Sequence, residues 1–186
     1  MSSEQKVDLI TASGRAFTLI QASSGRADEV GRLLTEAAEW MQRKGISQWK
    51  PEQFTEDEVR SYFTNRTVFI ALDRDIPAGM FTLQPSDPGY WKAMDDPSYY
   101  YLHRLTVSLA YRRFGLGQTL LSFAVDKAIR DGKKGLRLDC RQNNEALNLY
   151  YQKQGFAFKG ISEQKDHFAN LYECLAPAVS EARSDQ

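Results

Sequence analysis

The chain has 186 residues with 24 basic and 24 acidic side chains, and this balance argues against a general nucleic-acid-binding surface. A hydrophobic content of 42% with 12% aromatics suits one folded domain with its own core, not a disordered chain. No apolar run approaches the length of a membrane span, and the polar start Met1-Ser2-Ser3-Glu4-Gln5-Lys6 lacks a signal-peptide core. The only cysteines, Cys140 and Cys174, lack metal-ligand spacing, so two free thiols, no metal and a cytoplasmic setting are expected.

In chain order, residues 1–14 read as a flexible polar N-terminus, and residues 15–21 alternate as a first strand. Residues 27–44 place Val30, Leu33, Leu34, Ala37, Ala38 and Met41 at helical spacing, closed by Gly45. Thr55-Glu56-Asp57-Glu58 is a capping-box pattern that opens a second helix. Residues 68–72 and 78–84 read as a hairpin, turned through Asp73-Arg74-Asp75-Ile76-Pro77. Three of the six prolines fall in residues 85–98, which read as a loop.

The β-branched and aromatic run at 99–107 is a strand, and a helix from Gly115 to about Asp131 follows it. Leu136-Arg137-Leu138-Asp139-Cys140 is a short strand, a further helix starts near Asn144, and residues 157–161 and 168–175 pair as closing strands. Together these give a single domain over 15–175 and a polar tail over 176–186. About seven strands in a mixed sheet with helices on both faces are expected, an α/β architecture.

Between the strand at 99–107 and its helix lies Arg112-Arg113-Phe114-Gly115-Leu116-Gly117. Glycines let several backbone N–H groups point at one anion, and the helix start adds unpaired donors and positive dipole charge. Two arginines add charge-assisted donors, so the turn suits a pyrophosphate. Residues 104–137 hold eight basic and two acidic side chains; a solvated helix face accounts for Lys127, Arg130, Lys133 and Lys134 but not for the arginine pair. A P-loop is excluded because Gln118-Thr119 follows Gly117 where Lys-Ser/Thr is needed, and the dinucleotide fingerprint fails at Leu120.

The turn resembles the coenzyme A pyrophosphate loop, Arg/Gln-x-x-Gly-x-Gly/Ala, of the GNAT superfamily of N-acetyltransferases. About thirty residues on, the run from Asn144 through Tyr151 to Gly155-Phe156 resembles that superfamily's second signature, Asn-x-x-Ala-x-x-x-Tyr-x-x-x-Gly-Phe. Leu147 stands where that pattern usually has Ala. The resemblance covers roughly residues 99–160. It implies the GNAT fold, with the fourth and fifth strands splayed and coenzyme in the gap. It also implies a coenzyme site of Arg112, Arg113, Phe114, Gly115, Leu116, Gly117, Gln118, Asn144 and Tyr151, with Leu105 and Val107 acting through their backbones.

Acetyl transfer from a thioester needs a neutral amine and a proton for the departing thiolate. His103 is one of two histidines, and imidazole ordinarily titrates near pH 6.5. In the aralkylamine branch a His at the matching place relays the amine proton through water, so the resemblance makes His103 the candidate base and Tyr151 the candidate acid. A His bonded into the sheet is the competing reading for His103, an N-cap for Asn144, and a structural role for His167. Tyr150 lies about 100° round the helix from Tyr151 and cannot face the same site.

For the acceptor pocket the candidates are Met41, Ile46, Trp49, Tyr62, Tyr90 and Trp91, with Asp87, Asp95 and Asp96 as groups that attract a cationic amine. The reading is acetyl-CoA-dependent acetylation of a small primary amine by direct attack. A protein or peptide acetyltransferase and a non-catalytic acyl-CoA-binding module stay open, as do monomer and homodimer.

Overall fold

A computed structural model of the protein describes residues 4–176. One sheet of eight strands organises it, in the order β1-β2-β3-β4-β5-β6-β8-β7. The strands are β1 Gln5–Ala12, β2 Arg15–Gln21, β3 Thr67–Asp73, β4 Ile76–Gln84, β5 Tyr99–Val107, β6 Gly135–Arg141, β7 Ala157–Glu163 and β8 Phe168–Leu175. Five α-helices connect them: α1 Ala27–Arg43, α2 Glu56–Asn65, α3 Pro88–Trp91, α4 Leu116–Arg130 and α5 Glu145–Lys153. All neighbouring strands run antiparallel except β5 and β6.

Strand alternation divides the core between the two faces. Along β3, Phe69 and Ala71 join Phe17, Phe81 and Phe123 on the α4 face. Val68, Ile70 and Leu72 point the other way, to Val30, Leu34 and Tyr62 of α1 and α2. A strand buried on both faces has little need of polar residues, which is why Thr67–Asp73 is apolar between its ends. A smaller cluster of Trp91, Tyr99, Tyr101 and Leu171 seats α3 under the other half of the sheet.

Two expectations are corrected. Residues 5–12 are not a loose terminus but strand β1, paired with β2, so the sheet has eight strands rather than seven. Ile10 and Ala12 turn into the core while Leu9 stays exposed, so half-buried alternation holds this edge in place. Residues 85–98 are not all loop, because Asp87 caps α3 by accepting from the Tyr90 N–H at 3.4 Å, with Pro88 at the first helical position. The tail proposed for 176–186 lies, apart from Ala176, outside the described residues.

The feature that positions the site is the junction of β5 and β6. They pair only at Tyr99–Gly135, Tyr100–Leu136 and Tyr101–Arg137, then diverge. On its other side Gly135 permits β6 to lie close to β8, where a Cβ would be 2.2 Å from the Cys174 carbonyl oxygen. Beyond Tyr101, β5 carries a bulge against β4, with Arg104 at φ 58°, and bulges bend the strand that bears them. The gap is the splay implied by the family resemblance; the extra β1 makes its strands the fifth and sixth in chain order.

Candidate active site

Leaving β6 frees the inner edge of β5 from residue 102 onward, so its N–H and C=O groups have no ladder partner on that side. A cleft of about 270 Å³ opens there, lined by Leu102, His103, Arg104 and Leu105 of β5 and by Tyr151 of α5. A wider depression of about 500 Å³ lies between α1 and α2, rich in acids such as Glu36 and Glu39, but it holds neither the free strand edge nor a base.

At one end of the freed edge stands the glycine turn. Gly115, at φ 75°, is the N-cap of α4 in a left-handed conformation that favours glycine. Among the described residues no side chain caps this helix; its first bond runs from the Thr119 N–H to the Gly115 carbonyl, which leaves the Leu116, Gly117 and Gln118 N–H groups without a partner there. The turn is anchored from behind, where the Ser13 hydroxyl donates to the Phe114 carbonyl at 2.8 Å. Gly117 lies beside β5, so that a Cβ there would sit 3.6 Å from Val107 Cγ2.

The two arginines part company. Arg113 is exposed at φ 73°, free to reach an anion. Arg112 is folded onto α1, its guanidinium 4.0 Å from the centre of the Trp40 ring and its Nε 3.4 Å from the Val107 carbonyl.

α5 supplies the opposite wall. Tyr151 is buried against Phe156 and Tyr150, and burial pushes its phenol well above the usual range, so it stays protonated. Of the two adjacent tyrosines it alone lines the cleft. Asn144 is the N-cap of this helix, accepting from the Leu147 N–H at 3.2 Å, while its amide nitrogen lies 3.4 Å from Gln48 Oε1. The capping alternative for Asn144 is therefore realised. Cys140 and Cys174 are both free.

His103 lies between two carboxylates. Its Nε2 is 3.0 Å from Asp87 Oδ2 and its Nδ1 is 3.8 Å from Asp139 Oδ1. An ionised Asp87 can only accept, so Nε2 carries the hydrogen in neutral imidazole and Nδ1 keeps a lone pair toward Asp139. Burial raises the Asp139 carboxyl to about 6, and its Oδ1 has no hydrogen-bond partner among the described residues. The ligand atoms of Asp87, His103 and Asp139 lie within 4.8 Å of one another, close enough to surround an ammonium or a divalent cation.

Around this group the acceptor-side expectations divide. Met41, Trp49 and Tyr90 line the cleft, whereas Tyr62 and Trp91 are core residues and Ile46 opens onto a separate depression. Of the three loop acids, Asp87 reaches the cleft. Asp95 instead accepts from the Asp87 N–H and Asp96 from the Ser98 N–H, which holds the loop in shape. His167, read as structural, also lines the cleft, 3.5 Å from the Tyr90 hydroxyl and 2.7 Å from Asp166.

Sequence reasoning missed Asp139 and Arg66. Asp139 carried one signal: Leu136, Leu138 and Cys140 alternate inward, which turns 137, 139 and 141 to the other face. Arg66, just past α2, carried none. Its guanidinium lies over the Tyr62 ring at 4.5 Å and lines the cleft.

Comparison with known proteins finds relatives in sequence and in fold. An uncharacterized N-acetyltransferase of Bacillus subtilis, YesJ, is 28% identical over 147 residues, covering 76% of this chain and 82% of the relative. The crystal structure of a GNAT family acetyltransferase from Listeria monocytogenes superposes with a TM-score of 0.74 at 27% identity, over 91% of this chain and all of that one. The PaiA N-acetyltransferase of Thermoplasma acidophilum, solved with coenzyme A, shares the fold at 16% identity, with a TM-score of 0.65 over 85% of this chain and 99% of that one. The acetyltransferase (GNAT) family model matches residues 34–156, and the chain belongs to that family.

Proposed function

We propose that the protein moves the acetyl group of acetyl-CoA to a primary amine of a small molecule by direct attack in a ternary complex. The observation that carries this reading is the free inner edge of β5. It runs from the uncapped start of α4 to a cleft onto which both His103 and Tyr151 open. The pyrophosphate takes the free N–H groups of Leu116, Gly117 and Gln118, with Arg113 beside them. The amide-bearing pantetheine arm replaces the missing β6 partner along Leu105 and Val107.

The acceptor ammonium gives a proton to His103 Nδ1, directly or through one water. An imidazolium formed there lies between two carboxylates. The freed nitrogen lone pair forms the C–N bond at the thioester carbonyl, and the C–S bond then breaks. Tyr151 donates its phenolic proton to the departing thiolate and takes back the second proton released by the amine nitrogen. Because burial disfavours the phenolate, donation and recovery are closely coupled. The cleft is narrow and walled by Trp49 and Tyr90, which suits a small acceptor better than a folded protein.

Free-thiol release from acetyl-CoA across a panel of amines, amino acids and peptides tests this reading. Turnover with small amines, unaffected by a chelator, is the expected result. Turnover confined to peptides or proteins, or none with any acceptor, contradicts it.

A further inference from the structure

The cleft contains a cation and a carboxylate, each with a buried polar atom that has no hydrogen-bond partner among the described residues. Arg66 follows the last turn of α2, with its backbone N–H on the Tyr62 carbonyl and its guanidinium on the Tyr62 ring. Its Nη1 is buried with no hydrogen-bond partner among the described residues, and the side chain enters no ion pair there. Its neighbours are committed elsewhere: Arg104 donates to the Tyr62 hydroxyl at 3.1 Å, and Arg141 lies 3.6 Å from Asp166. Asp87 and Glu58 act on Arg66 through space, but neither lies within ion-pair distance, and the Asp87 oxygens are engaged at the α3 cap and at His103. Across the cleft, Asp139 Oδ1 is likewise without a hydrogen bond, and its side chain is only 11% exposed.

A buried charge without a partner is costly, and one left so inside a binding cleft is satisfied by the ligand. An amine alone would answer Asp139 and leave Arg66 unpaired in a site that now excludes water. Arg66 and Asp139 enter from opposite sides, since β3 and β6 are separated by β4 and β5 and β6 has splayed away from β5 before it reaches Asp139. The cleft that both line, about 270 Å³, has room for a small molecule between them.

We propose that the acceptor is an amino acid, its carboxylate paired with Arg66 and its ammonium held at Asp139 beside His103. A guanidinium takes a carboxylate through two parallel hydrogen bonds, which fixes the amine's direction as well as its affinity. This rests on the small-amine reading above and narrows it to a zwitterionic substrate.

The test pairs acids with their decarboxylated amines. Thiol release is measured with the twenty common amino acids, then with leucine against isoamylamine, phenylalanine against 2-phenylethylamine and lysine against cadaverine. The proposal expects kcat/KM to favour the amino acid by about 10²-fold or more in the best pair, since a site built to bond a group rejects the analogue lacking it. In Arg66→Gln that ratio collapses to within about fivefold, and Arg66→Lys restores part of it. The ratio is read within one preparation, so partial unfolding of a variant cancels. Amines turned over as well as or better than amino acids overturn the proposal while leaving the small-amine reading intact, as does a ratio unmoved in Arg66→Gln. Turnover with neither series removes both.

Discussion

At the end of the cleft proposed for the coenzyme the groups on offer belong to the backbone: the freed edge of β5 and three N–H groups at the start of α4. At the acceptor end they are side chains, brought from the end of α2, the cap of α3, β5, β6 and the segment before β8. Backbone recognition depends on where the chain turns, so a short contiguous stretch with glycines at set places is enough. Side-chain recognition depends on which distant strands meet, and each contributor can change alone. One end of such a site can therefore be shared across a family while the other is remade for each acceptor.

The largest effect expected from separating the two ends is at His103. His103→Ala should lower kcat about 10²–10⁴-fold and flatten the rise of rate with pH that a general base produces. Acetyl-CoA affinity, measured by calorimetry, should hold. A variant that loses coenzyme binding instead would mean that the ends are not separable.

The mirror experiment is Arg113→Ala, at an exposed position. Loss of a charge-assisted contact worth about 1.5–3 kcal/mol should weaken coenzyme A about 10–100-fold. Pantetheine, which lacks the pyrophosphate, should bind as before, and equal weakening of both ligands would remove Arg113 from the phosphate site.

A smaller effect concerns stability. Burial raises the Asp139 carboxyl to about 6, so the folded state keeps a proton that the unfolded state has released. Stability should then fall as pH rises from about 4 to about 6 and level off above. Asp139→Asn should flatten that limb and gain about 1–3 kcal/mol at neutral pH, seen as a rise in Tm, while acetylation falls. A Tm profile with the same slope in parent and variant would show that Asp139 is not the group responsible.

The same contrast explains what the residues revealed before the structure. Strands β2 to β8 announce themselves through alternation and turn residues, and α1 and α2 through spacing and the Thr55 cap. β1 was hidden because Ile10 and Ala12 are its only fully buried residues in a polar stretch. α3 was hidden by its prolines, although Asp87-Pro88 is itself a helix-start pattern. The coenzyme loop and the Asn144-to-Phe156 run are contiguous and readable as motifs. Arg66 and Asp139 acquire meaning only when four strands are laid side by side, because their relation to His103 spans 37 and 36 positions of chain.

Where the two ends meet, one phenol is assigned the proton of the leaving thiolate. Tyr151 lines the cleft and its neighbour Tyr150, with ring centroids 5.5 Å apart, does not. The decisive measurement is thiol release from acetyl-CoA by Tyr151→Phe and Tyr150→Phe in parallel, with one amine that the parent turns over. The account predicts a fall in kcat of about 10²-fold or more for Tyr151→Phe at unchanged coenzyme affinity, and no change for Tyr150→Phe. Full activity in Tyr151→Phe would contradict it, and a loss confined to Tyr150→Phe would show that the wrong face of α5 had been assigned to the thioester.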